Sequence, residues 1–68
     1  MTPKYASYDG YPARFNRYEA WIFVRANKHW RRTDVASTLH EAAVLTETQF
    51  HHTFGHLPPL PPNAFTAA

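Results

Sequence analysis

The sequence predicts an all-α fold, in which three short helices form a small domain between an aromatic N-terminal arm and a proline-rich C-terminal strap. Three observations lead to this prediction. No glycine or proline interrupts residues 17–29, three positions carry residues that typically begin helices, and charges segregate to one face of the first helical segment. The predicted boundaries within one domain are 1–15 for the arm, 16–56 for the helical core and 57–68 for the strap.

Composition narrows the class of protein. A chain of 68 residues is one small domain and buries only about 60% of the surface that its unfolded form exposes. Hydrophobic residues make up 44% and charged residues 18%, which is typical of a folded chain rather than a disordered one. The absence of cysteine excludes a disulfide framework and zinc fingers with thiolate ligands.

Other classes are excluded by length and pattern. No apolar run approaches the 20 or so residues of a membrane span, so we expect no membrane association. The first ten residues lack the apolar core of a signal peptide, and the expected location is therefore the cytoplasm. A chain this short lines no large cleft, so we expect a protein that is not an enzyme and that has no cofactor and no metal.

The arm contains a turn signal and large aromatic side chains. Asp9-Gly10 is a turn dipeptide. Four aromatics are too many for a free tail, so we expect the arm to pack on the domain; a short strand here would need a partner. These aromatics are Tyr5, Tyr8, Tyr11 and Phe15.

The first predicted helix begins at Asn16 and runs to about residue 29. Asn16 is a good N-cap, and Glu19 stands three residues on, where it completes a capping box. On a helix Tyr18, Ile22 and Ala26 share the face that we expect to be buried. The alternative is a β-strand, because the segment is rich in aromatic and β-branched residues; the capping box and the charge pattern favour the helix.

Two further helices are predicted after a break near Thr33. Thr33 or Asp34 caps a helix that runs to about Val44, and Thr46, with Gln49 at the capping-box position, opens a third. The second helix carries an apolar stripe formed by Val35, Ala36, Leu39, Ala42 and Ala43. The third carries a ridge of Phe50, Phe54 and Leu57, with Gly55 as a left-handed C-cap.

The candidate binding site is a basic and aromatic stripe on the first predicted helix. Cations at helical spacing match a nucleic-acid backbone or an acidic protein surface, and a tryptophan among them can stack on a base. The alternative is a solvated face whose arginine stems cover the indole. The site residues are Arg17, Trp21, Arg25, Lys28, Arg31 and Arg32.

Residues 43–55 resemble the turn and recognition helix of helix-turn-helix DNA-binding domains, particularly those of the tetracycline-repressor type. The matching positions are Ala43, Leu45, Thr46, Phe50, Phe54 and Gly55. The resemblance implies a recognition helix capped by Thr46, with Thr48, Gln49 and His52 facing the major groove. The alternative is a pair of helices with no role in DNA binding.

Histidines and prolines provide two weaker candidates. His52 and His56 are four residues apart, a spacing that can share a metal on one helix, but Gly55 ends the helix between them. Surface imidazoles are the favoured interpretation. Residues 57–62 contain P-x-x-P patterns like those of ligands for aromatic-grooved modules, although a strap packed on the domain through Leu57, Leu60 or Phe65 is favoured.

The sequence therefore predicts a non-catalytic binding module that holds a polyanion, with nucleic acid favoured over an acidic protein. The alternative is a protein–protein adaptor or inhibitor, such as an accessory protein of a mobile element, that binds through exposed aromatics. Homodimerisation and completion of a partner's active site are left open.

Overall fold

The computed structural model describes residues 2–66 and contains a five-stranded antiparallel sheet with two short helices. The prediction of an all-α, three-helix fold is therefore wrong. The strands are Lys4–Tyr8 (β1), Tyr11–Phe15 (β2), Ala20–Val24 (β3), His29–Thr33 (β4) and Ala43–Leu45 (β5), and the helices are Val35–Glu41 (α1) and Glu47–Phe54 (α2). The strand order is β4-β3-β2-β1-β5, so β4 and β5 form the two edges.

The N-terminal arm is the β1–β2 hairpin. Asp9 and Gly10 both have positive φ, +50° and +83°, as the two-residue turn of a tight hairpin requires. Tyr8 pairs with Tyr11 directly across this turn. The predicted turn is confirmed, and β2 is the partner that a strand in the arm needed.

The segment predicted as the first helix forms β3, the following loop and the start of β4. The Asn16 Oδ1 atom accepts the backbone N–H of Glu19 at 2.8 Å, as an N-cap would. However, the Asn16 N–H donates to the Glu19 carbonyl at 2.9 Å, which closes a turn between two antiparallel strands. The capping residues therefore mark a turn, and the strand alternative is correct. Tyr18, predicted to be buried, is 60% exposed.

Each face of the sheet has its own core. One face consists largely of alanines, with Ala6, Ala13 and Ala20 fully buried. Val35 of α1 and Ala42, the C-cap of that helix, pack on it. The opposite face carries large aromatics that are covered by α2 and by the C-terminal segment. Its buried members are Trp21, Phe23, Trp30 and Phe50.

Helix α1 begins where the sequence predicts and ends earlier. The Asp34 carboxylate accepts the Ser37 N–H at 3.1 Å, which confirms Asp34 as the N-cap. The helix stops at Glu41 because the next residues pair with β1 as β5. The predicted apolar stripe is wrong in part, since Leu39 is 49% exposed and Thr38 is fully buried.

Helix α2 matches its prediction. Thr46 and Gln49 form both hydrogen bonds of a capping box, at 3.1 and 2.9 Å, and Gly55 ends the helix with a φ of +76°. The resemblance to a helix-turn-helix is contradicted, because strand β5 stands between α1 and α2 where that motif has a tight turn.

The proline-rich strap lies across the aromatic face of the sheet. Leu57, Leu60 and Phe65 pack against the core there, as expected of a strap, although the surface they cover is a sheet rather than a helical bundle. The Trp30 indole N–H donates to the Pro58 carbonyl at 2.9 Å. The predicted strap extends to residue 68, and its last two residues lie outside the described part of the chain.

No helix within residues 2–66 is both long and apolar enough to cross a bilayer.

Candidate functional site

The β3–β4 hairpin carries most of the predicted site residues. β3 and β4 pair in antiparallel register, with Trp21 opposite Arg32 and Val24 opposite His29. The four-residue loop that joins them, residues 25–28, folds back on β3. Its Asn27 and Lys28 N–H groups both donate to the Val24 carbonyl, at 3.2 and 2.8 Å.

Lys28 has an unusual backbone conformation for its residue type. Its φ is +57°, in the left-handed region, which glycine and asparagine adopt most readily. The side chain is exposed to solvent and belongs to neither core cluster. The β3–β4 loop therefore has a long cation at a position where the backbone favours glycine.

Four cations project from this hairpin, and residues 20–33 contain no acidic residue. Arg25 and Lys28 stand at its tip, while Arg31 and Arg32 are successive residues of β4 and so point to opposite faces of the sheet. All four side chains are exposed. We call this segment, residues 20–33 with these four cations, the basic hairpin.

The position of β4 exposes the basic hairpin further. β4 is an edge strand with β3 as its single strand neighbour. From Lys28 to Arg32 the chain spans about 13 Å, which is close to the axial rise of about four nucleotides in one DNA strand. The cations thus lie along one border of the molecule, with Arg31 and Arg32 on opposite faces of the sheet.

The tip is supported by helix α2. The Arg25 guanidinium carbon lies 5.9 Å from the centre of the Phe54 ring, at the outer limit of a cation–π contact. On β4, the Trp30 side chain is buried beneath the strap, and its bond to Pro58 ties the strand to residues 28 positions later. The basic hairpin is therefore held in place by the aromatic core.

Trp21 is not part of the exposed surface, contrary to the prediction. It is 7% exposed, and its indole N–H donates to the Glu19 carboxylate at 3.0 Å. The same Oε1 atom of Glu19 accepts the Phe65 N–H at 3.1 Å. Trp21 is a core residue that helps anchor the strap, so it cannot stack on a base.

Arg17 lies away from the hairpin tip. It is in the β2–β3 turn, at the end of β3 where Trp21 pairs with Arg32. The adjacent Tyr18 is the aromatic side chain that sequence reasoning missed, because a helical period assigned it to the core. Its exposure and the neighbouring arginine make a second, smaller basic-aromatic feature.

Histidine provides no metal centre in the part of the chain that is described. Residues 2–66 contain no group of three or more histidine, cysteine, aspartate or glutamate side chains that could hold an ion. His51 instead lies 3.7 Å from Glu47, one helical turn away on the exposed surface of α2.

No protein family model, curated protein or solved structure matches this chain.

Proposed function

We propose that this chain is a non-catalytic module that binds double-stranded nucleic acid through the basic hairpin, mainly by contacts to phosphates. The observation that carries the proposal is the group of four exposed cations on residues 20–33, with no acidic side chain among them. Such a group attracts a polyanion, and binding releases the counterions condensed on the nucleic acid.

The backbone at Lys28 supports a role for its charge. A residue other than glycine in the left-handed region costs about 1–2 kcal/mol, and the exposed Lys28 side chain is not part of the core. Unfavourable backbone conformations that persist in folded proteins are concentrated at functional sites. A lysine ammonium at the tip of a hairpin is well placed to contact a phosphate.

Duplex rather than single-stranded nucleic acid is favoured by the positions of the aromatic side chains. Recognition of single strands relies on exposed rings that stack on bases. Trp21, Phe23 and Trp30 are all buried, so the basic hairpin presents no exposed indole or phenyl ring. Its edge strand β4 and the loop before it can approach a duplex, where their exposed cations reach the phosphates that flank a groove.

The test is a charge reversal at the hairpin tip, Arg25→Glu with Lys28→Glu. We expect binding to a labelled duplex of random sequence at low salt to weaken by about 100-fold or more, since two charge-assisted contacts are lost. In wild type, four phosphate contacts give a slope of about −3.6 for log K against log salt concentration. Arg25→Gln with Lys28→Gln, which removes the cations without adding repulsion, should bring that slope to about −1.8.

The matched control is Lys4→Glu with Arg17→Glu. Both side chains are exposed and line a shallow cavity beside Phe15, away from the hairpin tip. Each charge-reversed double variant replaces two cations with two carboxylates, so the change in net charge is identical. The control should lose much less affinity. Equal losses in the two variants would show that binding follows net charge rather than the basic hairpin.

The runner-up is a protein–protein adaptor. An edge strand such as β4 can receive a strand from a partner, and its cations would suit an acidic one. Failure of the wild-type chain to bind any duplex at low salt contradicts the nucleic-acid proposal and favours this alternative.

A further inference from the structure

A half-open cavity of about 160 Å³ lies on the aromatic face of the sheet. Its wall includes Tyr5, Arg14 and Trp30 from the sheet, Phe50 and His51 from α2, and residues 56–60 of the strap. The sheet, a helix and the strap thus border one space.

Arg14 is the polar group of this cavity. Its side chain is half-buried, and its guanidinium carbon lies 3.7 Å from the centre of the Tyr5 ring. Two backbone carbonyls hold it in place: Nη2 donates to Pro3 at 3.0 Å and Nε donates to Lys4 at 3.3 Å. A guanidinium has more N–H donors than these two bonds use, so the fixed side chain retains donors for a further acceptor.

No carboxylate neutralises this guanidinium at close range. Within residues 2–66 Arg14 forms no ion pair, and Glu47, which acts on it electrostatically, lies instead 3.7 Å from His51. Burial lowers the pKa of Arg14, while Tyr5 and Glu47 partly offset this effect. A half-buried cation that is held by neutral carbonyls and an aromatic ring favours an anion as its missing partner.

The apolar residues that line the cavity indicate the chemistry of the part of the ligand that does not contact Arg14. Phe50, Leu57 and Leu60 are apolar, and they belong to or pack against the aromatic core. Apolar cavities of about 150 Å³ hold a molecule the size of benzene. An inorganic anion would satisfy Arg14 and leave these walls without a contact.

We infer that this cavity binds a small aromatic carboxylate, with the carboxylate on Arg14 and the ring against Phe50 and the strap. None of the four cations of the basic hairpin lines this cavity, so the inference does not depend on the proposed nucleic-acid surface. Bidentate recognition of a planar carboxylate is the geometry to which a fixed guanidinium is suited.

The experiment titrates the ¹⁵N-labelled protein with benzoate and follows amide and indole N–H signals. We expect saturable shifts at Phe50, Leu57 and the Trp30 indole, with a Kd on the order of 1 mM for so small a ligand. Benzamide has the same shape without the charge, and it should bind about 10- to 100-fold more weakly. Inorganic phosphate should cause no saturable shift at the apolar walls.

The matched variants are Arg14→Gln and Arg25→Gln. Arg14→Gln should weaken benzoate binding by about 10- to 100-fold, whereas Arg25→Gln should leave it unchanged. The comparison of benzoate with benzamide uses the wild-type chain, so it holds even if Arg14→Gln reduces stability. Equal binding of the two ligands overturns the inference. So does the absence of saturation at about 20 mM benzoate, well above the expected Kd. Duplex binding, measured separately, distinguishes failure of this inference from failure of the proposed function.

Discussion

Replacing Lys28 with glycine should make the protein more stable while weakening its binding to nucleic acid. Lys28 has a φ of +57°, a conformation that costs a residue with a Cβ about 1–2 kcal/mol and glycine almost nothing. Glycine's greater freedom in the unfolded chain offsets about 0.5–1 kcal/mol of that gain. The side chain is exposed, so no packing is lost, and we expect a net stabilisation of about 0.5–1 kcal/mol. For a chain of this size that raises Tm by roughly 2–8 °C.

The assay pairs a thermal melt with a duplex titration at low salt. Lys28→Gly should melt at a higher temperature than wild type and bind about tenfold more weakly, because one phosphate contact is lost. Lys28→Asn should lose the same affinity with a smaller gain in Tm, since asparagine tolerates this conformation less well than glycine.

Gly10→Ala is a control in which both expected effects are reversed: stability should fall and binding should not change. Gly10 has a φ of +83°, and a Cβ there meets no atom within 4 Å, so the substitution should lower Tm through backbone strain alone and leave binding unchanged. A Lys28→Gly variant that melts below wild type, or that binds the duplex as tightly, would refute the reasoning about this residue.

Two further predictions concern the aromatic face of the sheet. Glu19→Ala removes the acceptor shared by the Trp21 indole and the Phe65 amide, and it should lower the free energy of unfolding by about 3 kcal/mol in urea. The exposed Glu41→Ala should cost less than about 1 kcal/mol, and equal losses would contradict the role of Glu19. Burial raises the pKa of Tyr5 above its ordinary value of 10.0; Arg14 opposes this shift and a hydrogen bond to Glu47 adds to it. A raised pKa favours the neutral phenol in the folded state. Its stabilising contribution is therefore present below about pH 10 and is lost as the pH rises through the folded-state pKa. Tyr5→Phe should accordingly show a smaller drop in urea midpoint between about pH 9 and about pH 11 than wild type does, and an equal drop would contradict the assignment.

The parts of the fold that sequence analysis predicted correctly depend on local contacts. Asp34, Thr46 and Gly55 act within three or four residues of themselves, so their roles as caps hold in any tertiary structure that contains those helices. The Asp9-Gly10 turn is equally local. These signals gave the two short helices and the first hairpin turn.

The central strand β3 could not be distinguished from a helix in the same way. A strand with one face in solvent shows an alternating pattern, but β3 lies inside a sheet that is covered on both faces. Its sequence, Ala20–Val24, is therefore apolar throughout and shows no period of two. The residues that pair with it come from β2 and β4, and no local pattern identifies them.

The exposure of the candidate site's cations was predicted correctly, and that of its aromatic side chains was not. Arg25, Lys28, Arg31 and Arg32 are exposed because cations stay in water on either a helix or a strand. The predicted burial of Trp21 and Tyr18 was the reverse of what the structure shows. A helical period puts the Trp21 indole on the charged face and Tyr18 in the core, whereas the strand places the indole in the core and Tyr18 is exposed. The exposure of the charged side chains could thus be predicted from the sequence, whereas the direction in which each aromatic side chain points depended on the backbone geometry.

The late position of the strap has a consequence during synthesis on the ribosome. Among themselves, strands β1 to β4 pair only between sequence neighbours, so they can assemble before β5 joins the other side of β1. Their aromatic face then waits for α2 and for Phe65, whose amide closes onto Glu19 from 46 positions away. Until both have docked, the chain displays Trp21, Phe23 and Trp30 together on an uncovered sheet, and such transiently exposed apolar surface promotes aggregation.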